Sequence, residues 1–538
     1  MPTSINTRKL SYNSAKLLRD SVRDAATNTS PVLYVTLGNS VPYNNEGSPD
    51  NLVDTINTEK AAFENIFAGK KVTGNDIELV IPRVNWTGNT KYRQYDDTID
   101  VEDLVTANTT LNLKPMYVIT SERNVYKCLS NSASANSNVQ PTGDYTTSNG
   151  NIATADGYIW KYMYNVQPSN KFLNDSWIPA PSSTQALDYG VSSIGVLPGE
   201  LTTIVMTANG TNYRQASNIR VDSFTSGQTT IRLSNTANAL AIFSIPTLSN
   251  LANMAISGTG LATDTHITGV AIANGLITLS SATNAVGGNA NNITILTRVY
   301  IEGDGVGAVA SAVLSNTAIT VSSANANVAR ISVTTIGTGY TRANAFIYGS
   351  GTNANARVII SPLFGHASNP AQELYANTSM IAVRVGELDS TEGGLISVDT
   401  SFRQIGLLQN PYKYSSNNRI ESTNANTVIS QTTDLNIVAG TSYTLNEYVY
   451  QGSSASTASA YGYLHAQTSN EVRLIKVLGT FVTGLPLFGA TSGVSRTVTG
   501  VANPELEPYS GDMLYIENAV KTDRADGQAE NIKLTISF

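Results

Sequence analysis

The sequence predicts a mainly β protein with a few helices, organised as β-sandwich-like core domains that carry small inserted β-modules. Three observations lead there. The chain has 538 residues, enough for several cores at roughly 150 residues per domain. Only 14% of it is charged, against a usual ~25%. Its polar surface must therefore come from Ser, Thr, Asn, Gln and Gly, which suits Gly/Asn turns between Thr/Val/Ile strands. Finally, 41% apolar residues and a mean hydropathy of −0.10 describe a chain that folds.

Taken in order, residues 14–26 (SAKLLRDSVRDAA) place Ala15, Leu18, Val22 and Ala25 at helical spacing, with Arg19, Asp20 and Arg23 on other faces. Pro31 breaks this helix, and VLYVTLG (32–38) reads as a strand ending at Gly38. A second helix is expected over Thr58–Ala68, capped by Thr58, stopped by Gly69 and buried through Ala62, Phe63 and Ile66. IELVIPRVNW (77–86) is a strand broken by Pro82, and MYVITSERNVYKCL (116–129) is two strands around a polar turn. GYIWKYMYNV (157–166) alternates its aromatics as a strand does.

The composition changes after Pro198: residues 172–412 contain no lysine. An internal repeat lies here. IVMTANGTNYRQA (204–216) and ISVTTIGTGYTRA (331–343) share I-x-x-T-x-x-G-T-x-Y-x-x-A. The second copy runs on into FIYGSGTNANARVII (346–360). The first stops near IRV (219–221) and resumes at YIEGDGVGAVASAVL (300–314). A nested β-module over about 224–298 accounts for the gap, since loop tips tolerate insertions. The expected organisation is thus a core in three parts, 1–198, 362–418 and 504–538, interrupted by a repeat region at 199–361 and a small β-module at 419–503. In the core, MIAVRV (380–385) and FRQIGLL (402–408) read as strands, and Asn531–Phe538 alternates Ile532, Leu534, Ile536 and Phe538 as a closing strand with Phe538 buried.

The search for chemistry returns little. The net charge is −7 with no basic block, which argues against a nucleic-acid binder. No apolar run of about 18 residues is present and the first ten residues lack a signal-peptide core, so a soluble cytoplasmic product without membrane insertion is expected. Cys128 stands alone and reads as a buried apolar residue. His266, His366 and His465 fall in three different segments without ligand spacing. GDGVGA (303–308) and GSGTNA (349–354) lead into strands, so they read as hairpin turns and not as phosphate cradles. Asp96–Asp97 and Glu387/Asp389 are the nearest thing to paired catalytic carboxylates, the latter on one face if extended. Glu302 and Asp304 form an acidic turn. No catalytic, cofactor or metal residue is expected.

Six segments in order resemble one family: LYVTLGNSVPY (33–43), IELVIPRVNW (77–86), VYKCL (125–129), DGYIWKYMY (156–164), SFRQIGLLQNP (401–411) and YSGDMLYIENAVKTDRADGQAENIKLTISF (509–538). Together they are similar to the baseplate wedge subunit of T4-like contractile-tailed phages, the gene product eight family. The added β-modules resemble those of phage structural proteins, especially of marine cyanophages. The resemblance implies a non-enzymatic virion protein of the tail baseplate, assembled in the host cytoplasm. It also implies a homodimer whose partners are the wedge proteins known as gene products six, seven and ten. The motif positions it singles out are Pro82, Arg83, Trp86, Asp156, Gly157, Tyr158, Trp160, Arg403, Asn410, Gly511, Tyr515, Glu517 and Asn518, all in structural roles. Two alternatives stand beside this reading: a receptor-binding fibre with glycan-binding β-modules, and a glycan-degrading tail enzyme.

Overall fold

A computed structural model describes residues 7–23, 30–182, 196–234, 251–287, 293–316, 326–387, 389–421 and 423–538. The chain is mainly β. Among the described residues, α-helices are confined to Arg8–Arg23, Ile56–Asn65, Val101–Val105 and Pro370–Glu373. It divides into two compact units, Met1–Ile81 with Ala376–Phe538, and Pro82–Tyr375.

The first unit is built on a five-stranded antiparallel sheet. Its order is Val428–Ser430, Ile66–Lys71, Leu33–Gly38, Thr400–Gln409 and Asp512–Arg524. The central pairing sets Val35 opposite Leu407, so residues far apart in sequence form the middle of the sheet. A second layer pairs Thr378–Val385 with Ile77–Pro82 on one side and with the final strand Glu530–Ser537 on the other. Leu33, Val35 and Leu37 from the first layer and Ile77, Ile381, Val383, Ile532 and Leu534 from the second share one apolar core. This is a sandwich in which alternate residues of each strand point inward.

Both long helices differ from the sequence expectation. The first spans Arg8–Arg23 and buries Tyr12, Ala15, Arg19 and Val22; Ala25 lies outside the described residues. Arg19 therefore sits on the inward face. It is 1% exposed and tolerates that because Asp20 (2.5 Å) and Glu78 (3.4 Å) answer its charge. The second helix is Ile56–Asn65, capped by Thr55 and not by Thr58, whose N–H donates to Thr55 Oγ1 at 3.2 Å. Ile66 already belongs to the next strand, and Gly69 lies inside it, where a Cβ would meet Ile429 Cγ1 at 2.9 Å.

Residues 433–502 leave this sandwich as a closed six-stranded barrel with its own core around Leu435, Val449, Leu464, Val472 and Val498. The two ends of the excursion are stitched together. Glu505 N–H donates to Ser430 O at 3.0 Å, and Gln431 Nε2 donates to Leu506 O at 3.1 Å. Side-chain and backbone bonds run the other way, from Ser430 N–H to Glu505 Oε2 (2.7 Å) and Leu506 N–H to Gln431 Oε1 (3.2 Å).

The second unit contains a four-stranded sheet ordered Tyr117–Ile119, Asn124–Asn131, Tyr158–Asn165, Asn151–Ala153. Beyond it comes a six-stranded sheet ordered Thr203–Thr211, Thr352–Ile359, Ala343–Tyr348, Arg298–Gly303, Val306–Leu314, Val328–Thr338. The two sequence repeats form it by exchange: the first strand of each copy pairs with the last strand of the other, and the middle strands meet at the centre. The shared motif explains itself here. Gly210 and Gly337 adopt φ of +65° and +61°, where a Cβ would collide with the neighbouring backbone. Tyr213 and Tyr340 are 2% and 5% exposed. Tyr213 covers Gly349 and Gly351 of the second copy, and Tyr340 covers Gly303 and Gly305 of the first; added Cβ atoms there would meet the rings at 2.4–2.8 Å.

The nested module has a separate core of Ala216, Ile219, Phe224, Ile231, Ile256, Ile277, Ile293 and Ile295. Ala216 pairs with Ile295, so the excursion leaves the repeat sheet about where Tyr213 ends it, earlier than residue 224. Residues 236–250 lie outside the described residues.

The last strand forms, but Phe538 is not in the core. It is 44% exposed, whereas Ile532 and Leu534 are 6% and 3% exposed. The strand ends at Ser537, and Phe538 is held through its backbone: its N–H donates to Asn377 O at 3.0 Å and its carbonyl accepts from Asn377 Nδ2 at 3.3 Å. Leu534→Ala should cost about 2–5 kcal/mol of unfolding free energy, and Phe538→Ala should stay within about 0.5 kcal/mol. Urea unfolding of both variants checks this; equal losses would refute the assignment.

Candidate functional site

The motif residues act as braces. In the second unit, Pro82 O accepts the Tyr117 hydroxyl at 2.7 Å, and Arg83 reaches Asn174 O and Asn85 Oδ1, both at 2.9 Å. Trp86 Nε1 donates to Ser137 Oγ at 3.2 Å. Asp156 fixes a turn: Oδ2 accepts from the N–H groups of Asn138 (2.7 Å) and Val139 (2.9 Å), and Oδ1 from Tyr158 N–H (3.3 Å) and the Thr154 hydroxyl. Burial acts to raise its pKa, and these bonds outweigh it, holding the carboxyl below its ordinary value. Gly157 takes φ +85° beside Ser132. Tyr158 stacks on the fully buried Trp160 at 5.5 Å and donates to Ala135 O at 2.6 Å.

In the first unit, Arg403 is 2% exposed and binds both Glu46 carboxylate oxygens at 2.9 Å and Ser40 O at 2.8 Å. Asn410, at φ +54°, accepts Val32 N–H at 3.0 Å and so clamps the sheet end. Gly511 turns at φ +84° against Gln409 O. Tyr515 donates to Glu517 at 2.8 Å, and its phenol is pushed up to about 12 by burial and then by that carboxylate. Asn518 joins Gln404 (3.0 Å) and Asp50 O (3.0 Å).

The residues weighed for catalysis are not assembled for it. Asp96 and Asp97 each lie 2.5 Å from Arg357, whose two terminal nitrogens bind one carboxylate each. Glu387 follows the end of a strand at Val385 and pairs with Arg384 while half exposed; Asp389 opens a 3-10 turn, so the two do not share a strand face. Glu302 is exposed on a strand. Asp304 caps the N–H groups of Thr341 (2.9 Å) and Arg342 (3.1 Å), the place Ser350 takes for Arg214 N–H (2.9 Å) in the other copy. Those bonds leave GDGVGA and GSGTNA as hairpin turns. Cys128 is fully buried, and burial pushes its thiol up. His266 is partly buried in the nested module. His465 stacks on Phe67 at 4.0 Å. Among the described residues no group of three or more His, Cys, Asp or Glu is placed to hold a metal.

What sequence reasoning missed is a buried ion network in the second unit. Lys127 and Lys161 face each other across adjacent strands and are 0% and 1% exposed. Lys127 Nζ lies 2.6 Å from Glu373 and 4.4 Å from the Tyr95 ring centroid. Lys161 Nζ lies 3.6 Å from Glu200, which also accepts from Asn151 at 3.3 Å. His366 stands 3.7 Å from Glu373 and edge-on to Tyr95 at 4.8 Å. Burial pushes both lysines down and Glu200 up. Glu373 would also rise on burial, but Lys127 and His366 hold it at about 2, and burial followed by Lys127 holds His366 at about 3. Two ammonium groups thus balance two carboxylates around a neutral imidazole. The members are closed off from solvent, so the network suits holding strands together better than turning over a substrate. The signal was visible as a lysine in the middle of two otherwise apolar strands, VYKCL and YIWKYMY.

Neither a family model nor a curated protein matches this chain.

Lys127→Met strands Glu373 and should cost about 3–5 kcal/mol, and adding Glu373→Leu should recover much of it; a thermodynamic cycle with no coupling would contradict the network. A second expectation concerns His465, held at about 3 against an ordinary 6.5 by burial first and then by Arg473. Between those values the unfolded chain binds a proton that the native state refuses. The stability from the neutral ring is therefore full above about pH 6.5 and falls as pH drops. Relative to His465→Phe, the natural chain should lose up to about 1.4 kcal/mol more per pH unit in that window. Parallel pH profiles would contradict it.

Proposed function

We propose that this protein is a structural subunit of a contractile phage tail, a baseplate wedge component that assembles as a homodimer with other wedge proteins. The observation that carries the reading is the ordered set of six segments resembling the gene product eight family, above all V-I-P-R-x-x-W, D-G-Y-x-W-x-Y and the SGDMLYIEN segment. The braced positions of those segments support it. Pro82, Arg83, Asp156, Arg403, Asn410 and Asn518 spend their hydrogen bonds on neighbouring backbone and side chains, as a shape-keeping part requires. The inward-turned ion network and the Arg357-bound aspartates support a non-enzymatic role in the same way. A baseplate works through contacts between subunits, and β-modules attached at stitched ends add surface for them.

Light scattering should give a species at twice the 57.1 kDa chain mass. Co-expression with the wedge proteins of the same phage should yield a complex that survives gel filtration. A trimer that ignores those proteins would instead favour the fibre reading. Polysaccharide cleavage that Glu387→Ala abolishes would favour the enzyme.

A further inference from the structure

The inserted barrel carries a row of aromatic side chains on its outer face. In Tyr448–Gln451, Val449 and Gln451 are buried while Tyr448 and Tyr450 point outward. In Ala460–Gln467, Tyr461 and Tyr463 point outward between buried Ala460, Gly462 and Leu464. Phe488 does the same in Pro486–Gly489. These strands are hydrogen-bonded neighbours, so the five rings fall side by side. Centroids lie 5.6 Å apart for Phe488 and Tyr450, 6.0 Å for Tyr450 and Tyr448, and 5.0 Å for Tyr448 and Tyr461. In each of those pairs the ring planes are inclined by 30–32°. Tyr463 closes the row edge-on to Tyr448 at 79°.

The row runs into a cleft. Tyr461 and Tyr463 also line a cavity of about 540 Å³ in the first unit, with Phe63, Phe481 and Tyr509 among its other walls. Its walls mix these aromatics with Gln431, Thr433, Thr480 and Asn503, a balance of apolar and polar surface that suits a hydroxyl-rich ligand. Its polar groups are of both kinds: the Glu64 carboxylate, which accepts the Tyr509 hydroxyl at 2.8 Å, and the Lys476 ammonium, 5.8 Å from the Tyr463 ring. Lys476 is placed there by the backbone. It adopts φ +52°, rarely taken by a lysine, at the bulge where the pairing slips between Tyr461 and Tyr463.

We propose that the aromatic row and its cleft bind a neutral glycan chain. A pyranose ring offers an apolar face of C–H groups and a rim of hydroxyls. It needs flat aromatic surface together with an acceptor and a donor, which this site supplies. The row itself is uncharged, so it lacks the phosphate contacts that a nucleic acid would require. Glu64 is the one carboxylate among the described residues lining the cleft, so the pair needed for glycoside hydrolysis is missing and the site binds without cleaving. The proposal does not rest on the wedge reading, and assembly assays leave it untouched.

The test is electrophoresis of the full chain through gels containing soluble starch, laminarin, dextran, xylan or galactomannan. At least one should retard it. With that polysaccharide, Tyr448→Ala and Tyr461→Ala should each weaken apparent affinity at least tenfold, and Lys476→Ala several-fold. Melting curves check that the variants fold. If a tyrosine variant does not, Glu64→Gln and Lys476→Ala decide, together with saturation transfer from the natural chain to the sugar C–H protons. Retardation by none of the five, equal retardation of natural and folded variant chains, or displacement of the sugar by single-stranded oligothymidine would each overturn the proposal.

Discussion

The pairing of Leu33–Gly38 with Thr400–Gln409 is the constraint on which the first unit depends. Two strands more than three hundred residues apart must sit side by side, so everything between them has to leave and return to the same place. Each strand is nearly buried along its length, and Asn410 closes the end of the pair onto Val32. Loop-closure entropy grows only slowly with length, which is why so large an interval is tolerable once the pairing is made.

The modules obey that constraint by being closed at their own ends. Ser430–Gln431 and Glu505–Leu506 exchange four hydrogen bonds at the base of the barrel. Thr203 pairs with Ile359 at the ends of the repeat sheet, and Ala216 with Ile295 at the ends of the nested module. Each excursion also has a separate apolar core. The barrel is not wholly private: Ile475 enters the core of the sandwich, His465 stacks on Phe67, and Arg473 donates to Ser397 Oγ at 2.8 Å.

The mainly β class and most strands were legible in the sequence, because period-two burial and Gly/Asn turns are local signals. So was the repeat, through Gly210/Gly337 and Tyr213/Tyr340, although the exchange of strands between copies was not: a motif shows which residues recur, not whom they pair with. The misread and overlooked positions share a cause. Arg19 looked like a solvent-facing residue, and Lys127 and Lys161 drew no reading at all; their partners, Glu78, Glu373 and Glu200, lie 59, 246 and 39 residues away in sequence. Phe538 failed in the opposite direction, since its alternation continued one residue past the edge of the core. The aromatic row escaped because its five members are spread over three strands and meet only when the barrel closes.

The exchanged strands of the repeat sheet have a consequence for its ancestry. One copy, standing alone, would present a middle hairpin and a first strand with nothing to pair against, since that strand's partner belongs to the other copy. A primordial single copy would therefore have been completed by a second molecule, as in domain-swapped dimers. Joining two such copies in one gene turns an association between molecules into one within a chain. Either half can then carry extra sequence, and it is the first copy, between Tyr213 and Arg298, that carries the nested module.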